Sequence, residues 1–236
     1  MSSIILSQLH HRPFPLPANN WNYYQEWINA LFLHWKIPFE TLRPLVPEKL
    51  NLDSFNGDYY VSVVAFTMKN IRPRLLPAFP PISTFHEINL RTYTNHENKA
   101  GVYFLSIEAE KTISAFLARM LSGLPYQKAR MHRGSETYNS VNPKANQQLD
   151  LSYQIGKPVL HKSLLDTWLT ERYCLHLVQQ DQIYTFDIHH LEWPLAEVEI
   201  KTQQLHYKVG ELNLGSIPPD STHYSEGVQV LAWNKV

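Results

Sequence analysis

The sequence predicts a mainly β protein of the α+β class, and three observations carry that prediction. Seven runs rich in β-branched and aromatic residues, each bounded by turn formers, read as strands at 59–68, 85–94, 102–110, 172–180, 183–189, 197–204 and 228–233. Only two stretches carry a convincing helical period. Apolar residues make up 44% of the chain and charged residues 18%, so there is core enough to bury and too little charge for a disordered segment. With 236 residues, no internal repeat and no proline-rich linker, the chain reads as a single domain, 1–236.

Taken in order, residues 20–30 are a weakly patterned helix candidate and 31–35 suit a strand equally well; both assignments stay open at this level. The segment 72–83 contains Pro73, Pro77, Pro80 and Pro81, which argue against regular structure. Its apolar side chains Leu75, Leu76, Phe79 and Ile82 are expected on a loop packed over the core in preference to a lid. In 111–122, Ile113, Phe116, Leu117, Met120 and Leu121 fall on one helical face, with Gly123 and Pro125 placed as a stop. In 163–171, Ser163 is positioned to cap the amide of Asp166, and Leu164, Leu165, Trp168 and Leu169 form the apolar stripe. Gln180, Asp181 and Gln182 join two strands as a hairpin turn.

Charge and motifs exclude several functions. Twenty-one basic residues balance twenty-one acidic ones, and the only basic cluster, Lys128, Arg130, His132 and Arg133, is too short to follow a phosphate backbone; no nucleic-acid partner is expected. No apolar run is long enough to span a bilayer, and the first twenty residues lack the basic start and apolar stretch of a secretory signal. With a single cysteine, Cys174, set in a strand-like run and read as a buried inert thiol, a cytoplasmic location is expected. The chain carries no G-x-G-x-x-G, no Walker loop, no G-x-S-x-G and no H-E-x-x-H, so no cofactor is expected. Neither His10-His11 nor His189-His190 makes a chelate, because adjacent residues on a strand point to opposite faces; no metal site is expected.

Chemistry concentrates in 85–94. Period-two alternation puts Phe85, Glu87, Asn89, Arg91 and Tyr93 on one face and His86, Ile88, Leu90 and Thr92 on the other. A polar face of this kind is either wet, as on an ordinary antiparallel sheet, or the lining of a ligand cavity in a curled one. His34, between Leu33 and Trp35, reads first as a core histidine and second as a base.

Leu31-Phe32-Leu33-His34-Trp35-Lys36-Ile37-Pro38, Leu42-Arg43-Pro44-Leu45-Val46-Pro47, Leu52-Asp53-Ser54-Phe55-Asn56-Gly57 and Phe85 through Tyr93 follow one another in an order that resembles the bacterial YqjF-like family of unknown function. Gly101 through Phe104, Leu124-Pro125-Tyr126, Leu169 through Tyr173, Trp193-Pro194 and Gly227-Val228 extend the likeness over nearly the whole chain. That family is grouped with the acetoacetate decarboxylase-like superfamily, so the resemblance implies a curled antiparallel sheet or cone-shaped β-barrel around a central cavity, with a few packed helices. It moves Glu87, Asn89 and Arg91 toward the interior. In the decarboxylases a lysine follows a Gly-x-Pro turn and forms a Schiff base with the substrate ketone. Here Gly123-Leu124-Pro125 is followed by Tyr126, and the nearest lysine is Lys128, two positions later and expected on the surface.

The implied site therefore has Glu87, Tyr126 and Lys128 as catalytic candidates and Arg91, Asn89, Tyr93, His34, Tyr103 and Arg172 as ligand-binding candidates. Its ligand is a small carboxylate or ketone, its partners include neither nucleic acid nor membrane, and self-association is left open. Two functions compete: an enzyme acting on a carbonyl or carboxylate metabolite, and a non-catalytic ligand-binding or regulatory domain that kept the cavity without the lysine.

Overall fold

A computed structural model of the chain describes residues 2–111, 126–215 and 217–235. The helix expected at 111–122 and its Gly123-Leu124-Pro125 stop lie outside these residues, Lys111 excepted. The first long strand is β1 (Tyr23–Ile37), which settles the open assignment at 20–35 in favour of one extended element. Asn29 adopts φ 51°, a left-handed conformation that asparagine tolerates, and interrupts the register between Ile28 and Leu31. The resulting break in alternation is why residues 20–30 show no clean strand period.

Strands β2 (Asn51–Leu52), β3 (Tyr59–Pro73), β4 (Phe85–His96) and β5 (Lys99–Ala109) follow. After them come β6 (Tyr126–Lys128), β7 (Arg130–Arg133), β8 (Thr137–Asn142) and β9 (Gln147–Pro158). The chain ends with β10 (Cys174–Gln179), β11 (Gln182–His189), β12 (Leu195–His206), the small ribbon of β13 (Lys208–Val209) and β14 (Leu212–Asn213), and β15 (Ser221–Ala232). All but the ribbon belong to one large curled sheet whose main path is β1-β3-β4-β5-β10-β11-β15-β12-β9-β8-β7; off this path β2 pairs with β4 and β6 with β5, and β15 also pairs along β1. The sheet is mixed where an antiparallel one was expected: β5 runs parallel to both β6 and β10.

Two glycines permit the tightest approaches. At Gly227, φ is +132° and a Cβ would lie 2.2 Å from the carbonyl oxygen of Trp27, so β15 meets β1 there without a side chain. At Gly101 a Cβ would lie 2.6 Å from Cys174 Sγ, at the contact of β5 with β10. The turn between β10 and β11 has Gln180 at φ 50° and Asp181 at φ 65°, the two positive values of a type I′ hairpin.

Both faces of β1, β3 and β4 are buried. Leu31, Leu33, Trp35, Val61, Val63, Ile88 and Leu90 pack against Tyr138, Leu149, Leu151, Tyr153 and Leu205, which β8, β9 and β12 supply. The opposite face joins Phe32, Val64, Phe66 and Met68 to Trp193, Val228 and Val230. Burial on two sides accounts for the nearly unbroken apolar runs in β1 and β3.

The segment 72–83 departs from expectation twice. Pro80–Ser83 is a single helical turn that starts on its two prolines, whose fixed φ suits the first helical positions. Its apolar side chains are not packed over the core: Leu75 is 89% exposed and Leu76, Phe79 and Ile82 are exposed too. Among the described residues no helix is long and apolar enough to cross a membrane.

The helix Leu164–Thr170 forms as the sequence predicts, with a reciprocal cap: Ser163 Oγ accepts from the Asp166 amide at 3.0 Å, and Asp166 Oδ2 accepts from the Ser163 amide at 2.9 Å. Ser163→Ala should cost about 1 kcal/mol, seen as a melting temperature lower by roughly 2–4 °C; an unchanged melting curve would show that the cap contributes nothing. The helix matters to the site because Thr170 lines the cavity and Leu169 O accepts from Arg91 and Tyr93.

Candidate binding cavity

A cavity of about 80 Å³ lies inside the curled sheet. One water needs roughly 10–15 Å³ on this measure, so the space takes a compact molecule of a few heavy atoms. Its walls are mostly apolar: Phe32 from β1, Val64, Phe66 and Met68 from β3, Val102 and Phe104 from β5, and Leu175, Phe186 and Ile188 from β10 and β11. Strand alternation produces each of these sets, since residues two apart share a face. Trp27, His190 and Trp193 make an aromatic end, with the two indoles stacked at 6.1 Å between centroids.

The polar wall comes from β4. Glu87, Asn89 and Arg91 line the cavity and are 3%, 6% and 8% exposed, which removes the wet reading of that face. Burial pushes the Glu87 carboxyl up to about 8, against a smaller opposing hydrogen bond from the Asn89 side chain, so at neutral pH it is mainly a carboxylic acid. Glu87 Oε2, Asn89 Oδ1 and Arg91 Nε are buried without a hydrogen-bond partner among the described residues. Among the described residues no carboxylate lies in ion-pair range of Arg91; its Nη2 donates to Leu169 O at 3.2 Å, and its guanidinium lies 5.9 Å and 5.8 Å from the Phe32 and Tyr93 ring centroids. Arg172 also lines the cavity, but its Nη1 is paired with Asp53 Oδ2 at 2.6 Å and its Nε donates to Trp168 O at 2.7 Å, leaving Nη2 buried and without a partner among the described residues. Tyr126, from β6, faces the same space, and burial followed by the proximity of Glu87 raises its phenol well above the ordinary value.

Four other candidates sit elsewhere. Lys128 is exposed at the end of β6 and does not line the cavity. No lysine does, and the undescribed residues 112–125 contain none in their sequence. Tyr103 falls between the inward-pointing Val102 and Phe104 and lines nothing, as alternation requires. Tyr93 and His34 are fully buried behind the wall. Tyr93 donates to Leu169 O at 2.9 Å and stands 2.6 Å from Ser62 Oγ, which is 2.6 Å from His34 Nδ1. Since the tyrosine proton goes to Leu169, Ser62 must donate to Tyr93 and His34 Nδ1–H to Ser62. Burial first, then His223 and Arg91, hold the His34 imidazole well below its ordinary pKa, so it is neutral. These two residues brace the carbonyl that Arg91 also uses.

Sequence reasoning missed Trp27, His190, Trp193 and Trp233 as cavity residues. His190 with Trp193-Pro194 offered a partial signal as a motif; Trp27 and Trp233 had none, because they converge from separate strands. Among the described residues no group of three His, Cys, Asp or Glu side chains is arranged to hold a metal.

The fold is that of the acetoacetate decarboxylase-like proteins. The chain aligns with the enduracididine biosynthesis enzyme MppR complexed with pyruvate at a TM-score of 0.62 and 9% identity, covering 95% of this chain and 92% of that one. An acetoacetate decarboxylase-like enzyme from Sphingomonas wittichii RW1 aligns at 0.57 and 14%, covering 96% and 97%. The acetoacetate decarboxylase of Legionella pneumophila aligns at 0.56 and 12%, covering 96% and 93%. Within that architecture the chain belongs to the DUF2071 family, described as an uncharacterized conserved protein, whose model matches residues 24–229. It is 34% identical over 227 residues to the uncharacterized protein YqjF of Bacillus subtilis (strain 168), covering 92% of this chain and 93% of that one.

Proposed function

We propose that the cavity binds a compact organic carboxylate, with Arg91 and the free edge of Arg172 receiving the anion and Glu87, as a neutral acid beside Tyr126, facing the rest of the molecule. The observation that carries this reading is Arg91 itself, a buried guanidinium on the cavity wall with no carboxylate partner among the described residues. A buried charge is costly unless paired, and a bound anion is the partner this one lacks. A neighbour of the same fold is described as complexed with pyruvate, a small carboxylate, which supports this reading. On a ligand that also carries a carbonyl, Glu87 and Tyr126 are placed for proton transfer, which is the enzymatic form of the proposal. The lysine-free lining favours a second form, in which the ligand is held and released unchanged, since no amine is present for a Schiff base. The single thiol, Cys174, is buried and pushed up to about 12, mainly by burial, which suits an inert cysteine in a reducing cytoplasm.

Calorimetric titration with isovalerate, a short branched carboxylate, tests the binding; heat and a thermal shift are expected, and their absence across short carboxylates would remove the proposal. NMR of the recovered ligand then separates the two forms, turnover favouring the first and unchanged ligand the second.

The protonation of Glu87 can be tested without any ligand. Its folded-state pKa is raised from 4.5 to about 8, so between these values the folded chain holds a proton that the unfolded chain has released. The associated stability is fully present below pH 4.5 and is lost as pH rises through about 8. Glu87→Gln, which keeps a neutral donor of the same shape, should flatten that part of a urea-midpoint profile. A variant profile parallel to wild type would show that Glu87 is ionised when folded.

A further inference from the structure

The loop between β3 and β4 holds its apolar side chains away from the fold. Leu75, Leu76, Phe79 and Ile82 are 89%, 58%, 62% and 40% exposed. The segment is nevertheless tied down by its own backbone. The Arg74 amide donates to Asn22 O at 2.8 Å, the Leu76 amide to Pro73 O at 3.2 Å, and the Ile82 and Ser83 amides to Phe79 O at 3.0 and 2.9 Å. Pro73, Pro77, Pro80 and Pro81 remove further backbone freedom. A loop fixed in this way keeps its side chains from folding back onto the core, and a run of large apolar groups left in water marks a docking surface.

The surroundings of the loop are basic. From Lys69 to His86 the chain carries Lys69, Arg72 and Arg74 and no acidic residue. The exposed Arg74 has its guanidinium 5.4 Å from the Trp21 ring centroid, and that of Arg72 lies 3.9 Å from the Tyr24 ring centroid. Lys111, exposed at the end of β5, donates through Nζ to Thr84 O at 2.8 Å and Pro81 O at 3.3 Å. The acids at the foot of the loop, Glu26 and Glu110, are half-buried and accept from Asn70 Nδ2 and the His86 amide. An apolar tip backed by cations and an indole suits the boundary between water and a bilayer, where the tip enters the acyl chains and the cations meet anionic headgroups.

We propose that this loop docks the protein on an anionic membrane surface, with Leu75, Leu76 and Phe79 inserted among the lipid chains and Arg74 and Lys111 on the headgroups. A second copy of the chain fits the surface less well. A two-fold contact through the loop would set Arg74 and Lys111 against their own symmetry mates, and the stretch 75–82 falls well short of the roughly 20–30 residues that each side of a stable interface supplies. The expectation of no membrane partner rested on a balanced net charge and the lack of a spanning run; a short surface loop needs neither.

Vesicle co-sedimentation of the full chain tests the proposal. Wild type should sediment with phosphatidylcholine–phosphatidylglycerol vesicles, stay in solution with phosphatidylcholine alone, and be released as salt is raised. Leu75→Asp combined with Phe79→Asp should weaken binding by about 100-fold, and Arg74→Glu by about fivefold or more. All three positions are exposed, so both variants should melt with wild type. Failure of wild type to bind the anionic vesicles, or unchanged binding by the double variant, would overturn the proposal. So would a lowered melting temperature in the double variant, which would place the loop's side chains in packing within the chain. A wild-type dimer in sedimentation velocity that the double variant dissolves would assign the surface to a second copy instead.

Discussion

Asp187→Ala should destabilise the protein by about 3–5 kcal/mol, lowering its melting temperature by roughly 10 °C. Asp187, on β11, is fully buried and joins two distant parts of the chain: Arg12 Nη2 donates to its Oδ1 at 2.6 Å and Lys99 Nζ to its Oδ2 at 2.8 Å. The Arg12 side chain is itself buried, over the Phe14 and Tyr173 rings, so removing the carboxylate leaves a guanidinium without charge compensation or solvent. That asymmetry sets the magnitude, since the intact pair contributes far less than its broken half costs. Other bonds fix the same N-terminal segment: His11 Nε2 is 2.8 Å from His190 O, His189 Nε2 is 3.0 Å from Ile5 O, and Trp233 Nε1 donates to Asn19 O at 2.9 Å. Ile188, His190 and Trp233 line the cavity, so loosening this segment should also weaken ligand binding. A loss below about 1 kcal/mol in a urea titration would mean that Arg12 finds water or another partner.

Arg91→Ala should weaken isovalerate binding by about 100-fold, the loss of one or two charge-assisted hydrogen bonds of about 1.5–3 kcal/mol each. Its effect on stability should run the other way. Among the described residues Arg91 makes one hydrogen bond, contacts the Phe32 and Tyr93 rings and has no ion pair, so its removal takes away a buried charge without a carboxylate partner and the melting temperature should hold or rise. A purely structural arginine would show the reverse, with lower stability and unchanged affinity. The combination is the signature of a residue kept for a ligand at some cost to the fold.

The polar character of residues 85–94 was visible in period-two alternation, and so was the sharing of one face by Glu87, Asn89 and Arg91. Whether that face was wet was not visible. The answer depended on β8, β9 and β12 burying Ile88 and Leu90 from the other side while β10, β11 and β15 enclosed the first, and no local pattern records that. The strand β9 escaped notice although Leu149, Leu151 and Tyr153 alternate with Gln148, Asp150 and Ser152, because only a short stretch carries the signal. The first strand escaped because the bulge at Asn29 shifts its phase. Tyr103 was placed in the site by nearness to a motif, and the phase of its strand takes it out; Lys128 shares the phase of Tyr126 but lies exposed at the end of β6, beyond the cavity lining.

The sequence by itself determined the strand-rich class, the capped helix at 164–170, the hairpin turn near Gln180 and the acid, amide and guanidinium sharing one strand face, because each depends on residues within one or two turns of chain. Tertiary structure alone decided that this face is buried along a cavity, that Arg91 lacks a carboxylate partner among the described residues, and that burial raises the Glu87 carboxyl. Charge state and cavity depend on what distant strands bring within a few ångströms, and dielectric environment is a property of that assembly with no counterpart in local sequence.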